Sequence, residues 1–166
     1  QQLGEADGAK KGATMLILIN PPFVDRQTAY FQEFEAHTYA NPALAILSGI
    51  LYDRKIPYCV IDGKLDDLTF EQLMARIDDT LGDDEPTLIG VTNSTTTIIG
   101  DEMAMITKIK ARYPNTPIVV GGPHVSALPE RSLEDCAEID IVCLFEGNET
   151  LTELYDFYSG ESEFDS

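Results

Sequence analysis

Positive charge is scarce in this chain: 11 lysines and arginines stand against 29 aspartates and glutamates, a net charge of −18 over 166 residues. Nucleic acids and anionic membrane surfaces are gripped by basic stripes, so both are disfavoured as partners. Negative charge in this excess is a device for solubility or for a salt-adapted surface more often than a binding site. Long apolar runs are missing as well. No stretch approaches the roughly 20 residues that a membrane-spanning helix needs, and no signal peptide opens the sequence. A cytoplasmic protein is expected. Cysteine is sparse and odd in number, at Cys59, Cys136 and Cys143. The wide spacing, with Cys59 and Cys143 in apolar strand-like runs, argues for reduced, buried small hydrophobes and against a disulfide framework or a thiolate metal site. Histidine occurs only at His37 and His124. Neither spacing pairs it with a serine or cysteine nucleophile, so nucleophilic hydrolysis has no visible machinery.

What is present is an ordinary globular composition, 43% hydrophobic and 24% charged, enough for one domain with its own core. The polar, Gly-rich stretch 1–13 reads as a flexible lead-in, 14–158 as the domain, and 159–166 as an acidic tail. Five apolar runs read as strands: Met15 to Ile19, Tyr58 to Ile61, Thr87 to Val91, Ile118 to Val120 and Ile139 to Leu144. Helical patterns separate them. Asn41 and Pro42 supply an N-cap and a first-turn proline for one helix, and Thr69 with Gln72 forms a capping box for the next. A third helix is expected from about Ile98 to Tyr113, a short turn around Glu130 to Cys136, and a last helix with Leu151, Leu154, Tyr155 and Tyr158 on one face. Strands alternating with helices predict an α/β fold: a Rossmann-like, five-stranded parallel sheet of flavodoxin-like order with helices on both faces.

Ligands of such sheets lie above the carboxyl ends of the strands, near the point where strand order reverses. Four loops should meet there: Asn20 to Phe23, Thr92 to Thr97, Gly121 to Ser126 and Phe145 to Glu149. The segment from Pro21 to Ala40 is long and carries Tyr30, Phe31, Phe34 and Tyr39, the type of loop that serves a function or moves. Dinucleotide binding requires glycines directly after the first strand, and Pro21-Pro22-Phe23 stands there instead. A phosphate-accepting receiver would want acidic residues where this chain has Asn20 and Thr92. What remains is a floor of small, polar and weakly apolar groups, suited to a large neutral ligand held by area and hydrogen bonds. Asp62 reads as a turn cap or as a partner for a sugar hydroxyl.

The order of these features resembles a known family. A Pro-rich first loop, the helix start Asn41-Pro42-Ala43-Leu44-Ala45, Val60-Ile61-Asp62, the hydroxyl-rich third loop, Gly121-Gly122-Pro123-His124 and Glu146-Gly147-Asn148-Glu149 are similar to the cobalamin-binding domain found ahead of the catalytic module in cobalamin-dependent radical S-adenosylmethionine enzymes. The likeness runs from Thr14 to Tyr158. It implies a sheet whose strand ends face the lower side of cobalamin, with the nucleotide tail inserted into the domain. Contacts implied by position are Asn20, Pro21 and Phe23, then Thr92, Ser94 and Thr95, then Gly121, Gly122, Pro123 and His124, then Glu146 and Gly147. The Asp-x-His-x-x-Gly motif, which delivers a histidine to cobalt in other cobalamin domains, is absent. The resemblance therefore implies cobalamin with its own base displaced, no protein histidine on cobalt, and no metal ligand from the chain; His37 reads as a packing or surface residue. The cluster motif Cys-x-x-x-Cys-x-x-Cys cannot be drawn from the three cysteines, so an iron–sulfur cluster and S-adenosylmethionine belong to a missing or partner domain. The function implied is that of a cobalamin-binding module of, or partner to, a radical enzyme, most often a methyltransferase and not catalytic alone. A protein-interaction domain that keeps the fold without the cofactor is the alternative. On the cobalamin reading, Gly122→Val is expected to abolish binding while the domain stays folded.

Overall fold

The computed structural model describes residues 15–22, 40–93 and 99–160. Its elements are β1 (Leu16–Asn20), α1 (Pro42–Asp53), β2 (Tyr58–Asp62), α2 (Phe70–Leu81), β3 (Leu88–Thr92), α3 (Ile99–Arg112), β4 (Ile118–Gly121), α4 (Pro123–Ala127), α5 (Pro129–Asp135), β5 (Ile141–Cys143) and α6 (Asn148–Ser159). The strands form one sheet in the order β2-β1-β3-β4-β5, parallel at every pairing. This is the Rossmann-like arrangement expected, and its order reverses between β1 and β3.

Why the sheet is covered twice is visible in β1, whose five residues are all buried. Alternate side chains of a strand face opposite ways. Ile17 and Ile19 enter one core with Leu73 and Ile77 of α2 and Ile106 and Ile109 of α3. Leu16 and Leu18 enter the other with Leu44 and Leu51 of α1 and Leu151 and Leu154 of α6. Each fully buried Leu or Ile contributes about 1.5–3 kcal/mol, so a polar residue on either face of β1 would undo a core.

The helix starts follow their local signals. The Asn41 side chain accepts a hydrogen bond from Ala43 N (2.9 Å), and Thr69 and Gln72 close a reciprocal capping box. Three local readings change. Pro123-His124-Val125-Ser126 is not an open loop but the first turn of α4, nucleated by Pro123 and anchored by fully buried Val125. The turn expected around Glu130 to Cys136 is helix α5, with Pro129 in its first turn and an Arg131–Asp135 ion pair at 2.7 Å along one side. The fifth strand, Ile141–Cys143, is shorter than its apolar run; just before it the Asp140 carboxylate accepts the Ile118 amide (2.7 Å) and the Asp140 amide donates to Ile118 O (3.1 Å).

The three cysteines are free; Cys136 and Cys143 are buried and Cys59 is half-buried, since β2 is an edge strand. Burial raises the thiols of Cys136 and Cys143 above their ordinary value. Tyr158, expected on the apolar face of the last helix, is 40% exposed and lies outside the core that Leu151, Leu154 and Tyr155 enter. Among the described residues no helix is long and apolar enough to cross a membrane.

Candidate functional site

A cleft of about 610 Å³ opens at the carboxyl ends of β1, β3 and β4 and runs down between α1 and α6. Its floor is Leu18, Gly90 and Val119 of the sheet; its walls are Ile46 and Leu47 of α1 and Leu151 of α6. The bareness of Gly90 keeps the floor low, because a Cβ there would stand 2.8 Å from a Leu18 methyl. The mouth is more polar, with Asn20, Asn41, Thr92 and Asn93 on one side and Glu146, Gly147 and Asn148 on the other. An apolar shaft with a few polar groups at its opening suits a ligand with a flat apolar end and a polar middle.

The polar groups at the mouth are tied to one another. Asn20 Nδ2 donates to Asp62 Oδ1 (2.6 Å), and Thr92 Oγ1 donates to Asn20 Oδ1 (3.2 Å). Asn41 Nδ2 donates to Thr92 Oγ1 (3.3 Å), and the Asn41 amide donates to Asp62 Oδ2 (3.1 Å). Asp62 also accepts from Leu65 N (3.2 Å), which makes it the turn cap of its two readings. These bonds join the ends of β1, β2 and β3 to the start of α1. The rim is therefore held in place before any ligand arrives, a preorganisation that spares binding the cost of ordering it.

Beside this rim lies a second, drier cluster. Glu102 of α3 is 3% exposed; its carboxylate accepts from Asn93 Nδ2 and stands 3.7 Å from Lys64 Nζ. Asn93 Oδ1 and Glu102 Oε1 are buried without a hydrogen-bond partner. Asn93 and Lys64 both line the cleft. Burial pushes the Glu102 carboxyl up to about 7, against the opposing influence of Lys64 and the Asn93 amide. Burial likewise lowers the Lys64 ammonium, opposed by the charges of Glu102 and Asp62.

A pH dependence follows. The unfolded chain releases the Glu102 proton near 4.5, whereas the fold holds it to about 7. Between those values the native state binds the extra proton, so stability falls as pH rises, by up to about 1.4 kcal/mol per pH unit for one proton. Glu102→Gln keeps an acceptor for Asn93 and cannot ionise. Urea unfolding of both proteins from about pH 5 to about pH 8 is expected to show the Gln variant gaining on the wild type up to about pH 7 and holding its margin above that. A difference curve flat in pH would show that Glu102 is ionised in the fold throughout.

Of the residues expected at the site, Asn20, Thr92, Gly121, Gly122, Pro123, Glu146 and Gly147 line the cleft. Pro21 faces a separate small pocket with Phe70 and Glu102. His124 is buried and is not among the lining residues. Phe23, Ser94, Thr95 and His37 lie outside the described residues, as do Tyr30, Phe31, Phe34 and Tyr39. Gly122 has a positive φ of +133°, and a Cβ would stand 1.9 Å from the Asn93 carbonyl oxygen, so any side chain there collides with backbone before it reaches a ligand. Gly121 is the open position: a Cβ would meet only Cys143, at 3.6 Å. Lining residues that the sequence did not single out are Leu18, Lys64 and Gly90; Asn93 and Phe145 belong to loops expected to meet at the site, and Asn41 and Leu47 were expected as parts of the first helix. A glycine inside the apolar β3 run was the one local signal among them, since it marks close approach within a strand. Among the described residues no group of three His, Cys, Asp or Glu side chains could hold a metal ion.

The profile described as B12 binding domain matches residues 36–155, well over half of the chain. An uncharacterized methyltransferase of Pyrococcus horikoshii is 36% identical over 100 residues, which are 60% of this chain and 21% of that protein. Among solved structures, the cobalamin-dependent S-adenosylmethionine radical enzyme OxsB, with aqua-cobalamin and S-adenosylmethionine bound, superposes with a TM-score of 0.72 at 20% identity, over 93% of this chain and 20% of that one. The radical S-adenosylmethionine methyltransferase TsrM from Kitasatospora setae gives a TM-score of 0.72 at 23% identity, over 92% of this chain and 27% of that one. The chain thus spans about a fifth to a quarter of the length of these relatives.

Proposed function

Because this chain belongs to the B12 binding domain family, we propose that its cleft receives the nucleotide tail of cobalamin and that the ends of β1, β3 and β4 carry the corrin ring, for use by a radical S-adenosylmethionine methyltransferase. The observation that carries this reading is the shaft itself: an apolar channel floored by Leu18, Gly90 and Val119 over the sheet's switch point, with Asn41, Thr92 and Asn148 at its mouth. A benzimidazole needs such apolar walls. Ribose and phosphate above it need polar partners and a cation, which Asn41, Thr92, Asn148 and Lys64 supply. The residues present fit the cofactor. When bound, cobalamin supplies a cobalt centre that can accept and hand on a methyl group.

The base of the cofactor is displaced and no protein histidine reaches cobalt. In support, His124 is the one histidine among the described residues and it is buried away from the cleft lining. The iron–sulfur cluster and S-adenosylmethionine belong to a catalytic domain in the same longer chain or in a separate subunit, which also covers the upper face of the corrin. Water exclusion at that face requires such a cover.

Hydroxocobalamin mixed with the purified chain and desalted is expected to stay bound one to one, with a base-displaced visible spectrum that His37→Ala leaves unchanged. A colourless protein after desalting points instead to an interaction domain without cofactor. An imidazole-ligated spectrum, lost in His37→Ala, overturns the ligand-free cobalt.

A further inference from the structure

The backbone of Phe145, between β5 and α6, has φ +58°. The left-handed region is uncommon for any residue but glycine and its polar stand-ins, and a bulky side chain there is an outlier. The other two non-glycine residues with positive φ among those described, Lys55 and Asp67, are polar and sit in turns. Phe145 gains nothing comparable from water: it is 82% exposed. Its position is nevertheless built, because its amide donates to Ser126 Oγ (3.0 Å), which ties the loop to α4. Phe145 is also among the residues that line the cleft mouth. Strain that the surroundings hold in place marks sites where geometry serves binding.

Resting on the reading of the cleft as a cobalamin site, we propose that Phe145 is a cofactor-binding residue, its ring covering an apolar edge of the cobalamin macrocycle at the mouth of the cleft. A ring presented to solvent at the edge of a ligand cleft has hydrophobic area to gain when a large flat ligand is seated. The Ser126 hydroxyl, which accepts the Phe145 amide, holds this backbone in place without the ligand. The arrangement gives up folding stability for affinity, which makes the two separable by experiment.

Two variants divide ring from backbone. Phe145→Gly removes the ring and relieves the left-handed conformation; Phe145→Ala removes the ring and keeps a Cβ in it. Thermal unfolding without ligand and equilibrium dialysis against hydroxocobalamin are measured on the wild-type chain and both variants. Phe145→Gly is expected to raise the melting temperature by about 2–4 °C while weakening cobalamin binding about tenfold, equivalent to about 1.4 kcal/mol. Phe145→Ala is expected to weaken binding as much without the gain in stability. Either variant binding as tightly as the wild type overturns the proposal and assigns the ring to a protein surface. A Phe145→Gly chain that melts lower and binds less also overturns it, since the ring would then support the fold. A wild-type chain that binds no cobalamin removes the cofactor reading itself, and that failure is read in the wild-type arm alone.

Discussion

Gly122→Ala is expected to lower the free energy of unfolding by about 3 kcal/mol or more, a large share of what a domain of this size possesses. The cause is backbone against backbone. An added Cβ lies 1.9 Å from the Asn93 carbonyl oxygen and 2.9 Å from its carbon, at a φ of +133° that L-residues avoid. Asn93 cannot move aside cheaply, because its amide donates to Gly121 O (2.7 Å) and its side chain donates to buried Glu102. The methyl group must therefore part the ends of β3 and β4, at the point from which α4 departs. Urea denaturation of the two proteins measures the loss. An alanine variant as stable as the wild type would mean that Asn93 does not close against Gly122.

Gly121→Val is expected to do the reverse: binding of hydroxocobalamin falls about a hundredfold, equivalent to about 2.7 kcal/mol, while stability changes by less than about 1 kcal/mol. Gly121 has ordinary strand geometry and room for a Cβ, which would touch Cys143 at 3.6 and 3.8 Å. A β-branched residue is at home at the end of a parallel strand. Its methyl groups project into the cleft between the sheet and the loop from Phe145 to Asn148, where the proposed function seats the cofactor. Absorbance titration gives the affinity and thermal denaturation the stability. Unchanged affinity in the folded variant would show that the cofactor does not rest over β4. The effect expected from sequence for a valine at Gly122, ligand lost and fold kept, thus belongs one residue earlier.

The difference between these adjacent glycines marks how far sequence reasoning reached. Two glycines after a β-branched run signal close approach of backbone, and that much is local. Which glycine faces ligand space and which faces Asn93 depends on the loop after β3, more than twenty residues earlier in the chain, and nothing in the local pattern carries it. The rim network is similar. Asn20 and Thr92 stood out as strand-end polar residues, but that they bond each other across 72 positions follows from the pairing of β1 with β3.

The amino-acid sequence by itself determined the alternation of strands and helices, because apolar runs, the Asn41 cap and the Thr69–Gln72 box act over a few residues. It also carried the flavodoxin-like order and the motif pairs, Gly-Gly-Pro-His and Glu-Gly-x-Glu, by which the B12 binding domain was legible. Only the tertiary structure decided that Pro123 opens a helix and that Asp62 is spent on caps. It also buried Glu102 beside Lys64 and left Phe145 in a left-handed backbone at a cleft mouth. Each of these arises where distant segments meet at the ends of the strands. Desolvation, steric exclusion and hydrogen-bond competition there are set by neighbours in space, and no local window of sequence contains them.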